Sequence, residues 1–177
     1  LTLALGAQAS FVARSIDRET KHMQAMIERS YKHKGTSFLE IYQNCNIFND
    51  GAFAPMTNKE SKADNVLWLD NGQPMLFGIK KNKGIHMDGN VPQVVELNGK
   101  ISTADIMVHD ETDYVIASML ANFTYQPDFP DPIGVLYSID APSYDDLVTK
   151  QLAEAVELRG TGNIQELLNS GDTWVVK

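Results

Sequence analysis

With 177 residues, 43% of them hydrophobic and 21% charged, the chain is long enough for one domain with a real core and is ordinarily globular in composition. A formal charge of −8 argues against a nucleic-acid or anionic-membrane surface as its main role. No apolar run approaches the roughly 20 residues of a spanning helix, and the one cysteine cannot close an internal disulfide, which points to a reducing, cytoplasmic compartment.

Residues 1–9 read as the end of a helix, with Leu1 and Leu5 among small residues, stopped between Gly6 and Ser10. This start has neither a basic region nor a clean cleavage pattern, so it makes a poor signal peptide. It reads instead as the tail of an element, and the chain as a piece of a longer protein. Phe11-Val12-Ala13 is a short strand. Asp17 then offers an N-cap for a helix reaching residue 34, with Met23, Met26, Ile27 and Tyr31 on one face. Lys32, His33 and Lys34 suit its negative end, and Gly35 supplies a left-handed stop. Residues 38–43 form the next strand, whose near-continuous apolar run suits burial on both faces. Strand, helix, strand within about 33 residues is a βαβ unit.

The loop after this strand holds Cys45 among Asn44, Asn46 and Asn49, at the sheet edge where open α/β folds place their ligands. Residues 49–64 read as an extended connection. Asp70-Asn71-Gly72, between apolar runs 66–69 and 75–78, signals a hairpin, because Asn-Gly accepts positive φ. Residues 80–84 are basic and exposed, 94–97 form a short strand, and Ile116, Met119, Leu120 and Phe123 share one helical stripe. Pro127, Pro130 and Pro132 break regular structure before a strand at 135–137. Ser143 caps a helix to about residue 158, and a short last helix spans 163–169.

On the residues alone, Cys45 is a small buried hydrophobe more often than a ligand. The histidines lack metal-ligand spacing. His109-Asp110-Glu111 reads as a capping segment ahead of a helix. Lys21 is odder, because a cation in a first helical turn opposes the helix dipole. Its bland reading is a solvated side chain. The chain contains no Walker loop, no Gly-x-Gly-x-x-Gly, no Gly-x-Ser-x-Gly and no Gly-Asp-Gly followed by the asparagine that holds magnesium and a diphosphate.

A set of spaced motifs changes these weights. Phe11-Val12-Ala13-Arg14, Lys21-His22, His33-Lys34-Gly35-Thr36, Asn44-Cys45 and Phe48-Asn49 come first. Lys83-Gly84-Ile85-His86-Met87-Asp88-Gly89, His109-Asp110-Glu111 and the run from Phe129 to Val135 follow in order. Together, over residues 1–144, the sequence resembles the C-terminal part of the β subunit of thiamine-diphosphate-dependent 2-oxoacid:ferredoxin oxidoreductases.

The resemblance implies an α/β fold. Residues 1–48 would end a thiamine-diphosphate-binding parallel-sheet domain and 49–64 would connect it onward. Residues 65–177 would form an α+β extension against the α subunit. It implies that Cys45 is the fourth thiolate of a [4Fe–4S] cluster and that Lys21 meets a substrate carboxylate or coenzyme A phosphate. The whole enzyme would use thiamine diphosphate and Mg2+, act on a 2-oxoacid with 2-oxoglutarate favoured, and pass electrons to ferredoxin. This chain alone would be inactive. A different thiamine-dependent decarboxylase or synthase, and a non-enzymatic interaction domain, stay open.

Overall fold

A computed structural model describes residues 1–176 and resolves two compact units, Leu1–Ala141 and Pro142–Lys177. In the first, helix α1 (Thr2–Gly6) leads into strand β1 (Phe11–Ile16), helix α2 (Thr20–Lys32) and strand β2 (Ser37–Tyr42). β1 and β2 pair in parallel from Phe11↔Ser37 to Ile16↔Tyr42, so the expected βαβ unit is present. Gly35, at φ +132°, precedes β2 because nothing larger fits. A Cβ there would lie 2.1 Å from Ser10 Oγ.

Two short helices, α3 (Ala54–Thr57) and α4 (Lys62–Asn65), occupy what reads from sequence as an extended connection. Pro55 helps start α3, since its missing N–H is one that a first turn leaves unbonded anyway. Strands β3 (Val66–Leu69), β4 (Leu76–Phe77), β5 (Lys83–Asp88) and β6 (Val91–Glu96) follow, then helix α5 (Tyr114–Phe123) and strand β7 (Asp131–Ser138). One sheet runs β2-β1-β7-β3 and a second runs β4-β5-β6. The first is mixed: β3 and β7 are parallel, while β7 runs antiparallel to β1. Pro132 is tolerated inside β7 because pairing with β1 begins only at Gly134.

The expected hairpin at residues 70–72 is corrected here. The turn exists, with Gly72 at φ +74° and Gln73 N–H donating to Asp70 C=O. Its flanking strands do not pair with each other. β3 bonds β7, and β4 bonds β5, so the turn carries the chain from one sheet to the other. The sheet also takes β3 and β7 from beyond residue 65, so residues 49–64 do not separate two bodies of structure.

The main core lies between one face of this sheet and α1, α5 and the second sheet, around Val12, Leu67, Leu120, Phe123 and Leu136. Met26 of α2 closes the opposite face with Phe11, Ala13 and Val135. α5 is capped as read from sequence, Asp113 accepting from the Val115 and Ile116 amides. The second unit holds α6 (Tyr144–Arg159), capped by Ser143, and α7 (Ile164–Leu168), capped by Asn163. Neither has a buried residue.

Candidate functional site

β1 and β2 deliver their carboxyl ends to one edge, and the site is built there. The Asp17 amide donates to Tyr42 C=O at 3.0 Å, and the Asp17 carboxylate accepts from the Asn44 amide at 3.3 Å. Asp17 therefore ties the two strand ends together and does not cap α2, whose N-cap is Glu19.

Cys45 sits in the loop that this tie anchors. Its carbonyl accepts from the Asn49 amide at 2.9 Å, folding 45–49 into a tight bridge. The thiol is partly exposed. Its pKa is held below the ordinary range by backbone N–H groups, Phe48 first and then Ile47 and Asn49. That direction favours the thiolate, which is the form that binds metal. The asparagine side chains act differently. Asn44 donates to Asn46 Oδ1 (2.7 Å) and Asp50 Oδ1 (2.9 Å) and accepts from the Gly51 amide (2.8 Å). The Asn44 side chain is thus spent within the loop and bonds no sulfur.

Lys21 lies exposed in the first turn of α2, at the same edge, and takes part in none of the ion pairs among the described residues. A cleft of about 170 Å3 beside the cysteine loop is lined by Arg18, Asn44, Asp50, Gly51, Phe53 and Asn58. A larger cavity of about 490 Å3 opens at the opposite edge, by Ser10, Tyr114 and Tyr137. It has no charged side chain in its wall, and we assign it no chemistry.

Beneath the site lies a buried polar network that periodicity does not reveal. Arg14, 3% exposed, donates through Nε to Glu40 (2.5 Å) and through Nη1 to Thr124 (2.7 Å) and Asp131 (3.3 Å). Its guanidinium lies over the Tyr42 ring, which also stacks on Phe53, and the Tyr42 hydroxyl donates to Asp131. Burial pushes the Tyr42 pKa far above its usual value. A sequence signal for this existed: a charged residue at the centre of an apolar strand. The segment read from sequence as a helix cap also carries His109 into the interior. His109 is buried, its Nε2–H donates to Val135 C=O, and burial lowers its pKa. Among the described residues, no group of three or more His, Cys, Asp or Glu side chains is placed to hold a metal ion.

No family model matches the chain. Over 180 aligned positions, covering 99% of it, the chain is 31% identical to 2-oxoglutarate oxidoreductase subunit KorB of Mycobacterium tuberculosis. It is 34% identical, over 50 residues and 28% of its length, to the β subunit of a 2-oxoacid:ferredoxin oxidoreductase from Saccharolobus solfataricus, 16% of which is covered. By sequence, the chain is similar to these oxidoreductase subunits. It spans 48% of the length of the mycobacterial relative. Its fold matches that of 2-oxoglutarate:ferredoxin oxidoreductase from Magnetococcus marinus, solved with 2-oxoglutarate, coenzyme A and succinyl-CoA bound. The TM-score is 0.55 at 19% identity, over 96% of this chain and 43% of that one. Of the motifs that carry the resemblance in sequence, Phe11–Arg14 lies in β1, Lys21-His22 opens α2, and Asn44-Cys45 follows β2, so the last two meet at one sheet edge.

Proposed function

We propose that this chain is part of the β subunit of a cytoplasmic 2-oxoacid:ferredoxin oxidoreductase, with 2-oxoglutarate the favoured substrate, an acyl-coenzyme A the product and ferredoxin the electron acceptor. The similarity to the mycobacterial subunit along 99% of the chain carries this reading. Its partner is an α subunit, which the segment after residue 65 helps to contact. Bound to such a subunit, thiamine diphosphate with Mg2+ supplies the carbanion sink for decarboxylation, and a [4Fe–4S] cluster supplies one-electron transfer. No residue of this chain is assigned to the diphosphate or its magnesium.

The donor set here fits a single cluster ligand. Cys45 Sγ would hold one iron, and the Phe48, Ile47 and Asn49 amides would stabilise negative charge on that sulfur, which would favour the reduced cluster. Asn44 keeps the loop in the shape that aims those amides. Lys21 presents a cation to the same edge and takes a substrate carboxylate or a coenzyme A phosphate.

The test is Cys45→Ser in the intact subunit. Serine is a harder ligand that suits iron less well. The variant should lose iron or show an altered low-temperature paramagnetic signal, with ferredoxin-linked electron flow falling much more than the melting temperature. Full iron, an unchanged signal and normal turnover would leave Cys45 as a packing residue.

A further inference from the structure

The segment that carries Cys45 has no buried residue of its own. From residue 43 to residue 52 every side chain is exposed except Asn44 and Cys45, which are half-buried. Among the described residues, its hydrogen bonds close on the loop itself and on Ala54, with the Asn44 amide to Asp17 as the exception. A segment with so few buried contacts opens easily unless its ends are held.

Two rings hold them. Tyr42 is the last residue of β2, Phe53 is the first beyond the loop, and their rings stack with centroids 4.3 Å apart and planes 16° from parallel. Tyr42 is fixed in the sheet. It is buried, its hydroxyl donates to Asp131 Oδ1 at 3.2 Å, and the Arg14 guanidinium carbon lies 4.7 Å from its ring centre. Phe53 is half-buried and packs on the cluster of Ile16, Tyr42, Val66 and Ile133. It also occupies the N-cap of α3, where a side-chain oxygen is favoured, and it makes no capping bond. The ring therefore serves the stack and not the helix start.

We propose that Tyr42 and Phe53 are positioning residues for Cys45: the stack of their rings closes the loop and fixes where the thiol stands at the sheet edge. The inference rests on reading Cys45 as an iron ligand. Tyr42 is the fixed jaw, since β1, Arg14 and Asp131 hold it. Phe53 brings the outgoing chain back onto it, so that the Gly51 amide reaches Asn44 Oδ1 and the Asn49 amide reaches the Cys45 carbonyl. A ligand already in place need not be ordered when iron binds, and a fixed ligand loop keeps the iron–sulfur geometry, and with it the potential, at one value.

Phe53→Leu in the intact subunit tests the clamp, since leucine keeps an apolar side chain in the cluster and removes the stacked ring. Hydrogen exchange reads the loop directly. The bonded amides of Asn44, Asn49 and Gly51 should exchange roughly three- to tenfold faster, the factor an aromatic pair contributes, with the β1 amides unchanged. The low-temperature paramagnetic signal of the reduced cluster should shift or broaden, and iron should pass faster to a chelator. Phe53→Tyr should restore both readouts. Tyr42→Phe, which keeps the stack and removes only the hydroxyl, should leave both as in the parent. Loop amides and signal unchanged in Phe53→Leu would overturn the proposal, as would a Tyr42→Phe variant altered as much as Phe53→Leu. Faster exchange throughout β1 also overturns it, because the ring would then hold the sheet and not the loop. The parent's iron content separates the two readings. An iron-free parent whose loop still loosens in Phe53→Leu removes Cys45 as a ligand and leaves the clamp, whereas iron in a subunit whose loop is indifferent to Phe53→Leu does the reverse.

Discussion

Arg14→Met tests whether the buried guanidinium holds the first unit together. The side chain is 4% exposed and gives three hydrogen bonds, to Glu40, Thr124 and Asp131, besides its contact with the Tyr42 ring. Charge-assisted bonds taken singly run at roughly 1.5–3 kcal/mol, and three would sum to about 4.5–9 kcal/mol, comparable with a small domain's whole stability. The sum overstates the loss. The Glu40 side chain is 33% exposed and can turn to water, while Thr124 loses only a neutral contact. Asp131, at 16% exposure, keeps only the Tyr42 hydroxyl among these partners and suffers most. Removing one partner of a buried pair costs about 3–5 kcal/mol, and methionine refills much of the volume. We therefore expect about 3 kcal/mol, read from urea unfolding followed by the fluorescence of Trp68 in β3. Arg14→Met with Asp131→Asn should recover about half of it, because the stranded carboxylate is then gone. A single-variant loss under about 1 kcal/mol, or a double variant no better than the single, would refute the view that Arg14 neutralises Asp131.

Three more expectations follow from the same coordinates. Gly35→Ala puts a methyl into Ser10 Oγ at a backbone angle of φ +132°, and it should lower stability by about 1–3 kcal/mol, whereas Gly51→Ala, with nothing within 4 Å, should cost less. Burial lowers the pKa of His22, His33 and His109, so the unfolded chain binds more protons than the folded one just below the ordinary histidine value. Stability is then complete above about pH 6.5 and should fall on acidification by up to about 1.4 kcal/mol per pH unit for buried His109, with smaller contributions from the more open His22 and His33. A flat denaturation midpoint between pH 7 and 5 would contradict this. Lys21→Ala in the intact enzyme should leave the melting temperature within about 0.5 kcal/mol equivalent and raise one Michaelis constant about ten- to a hundredfold, that for the 2-oxoacid or for coenzyme A. Unchanged values for both would return Lys21 to solvent.

Local chemistry was legible wherever a residue's role is settled within a few positions. Asp113, Ser143 and Asn163 each cap the helix they precede, because a side-chain oxygen reaches an amide two or three residues on whatever the rest of the chain does. The βαβ unit and its cysteine loop were legible for the same reason, and the ordered motifs supplied the family. The turn at Asp70–Gln73 was legible too, but not what it joins: a turn sets the direction of the chain, while strand pairing is a competition among all available edges, and β7 won β3 from sixty residues away. Arg14 and His109 have roles that exist only across such distances, through Asp131 and Val135; a charge inside an apolar strand marks Arg14 as unusual but does not name its partners. The sequence places Asn44, Asn46 and Asn49 around Cys45 but does not say what their amides bond. Only the folded loop showed that Asn44 spends its amide on Asn46 and Asp50, because that pairing depends on how the loop backbone turns and not on residue type.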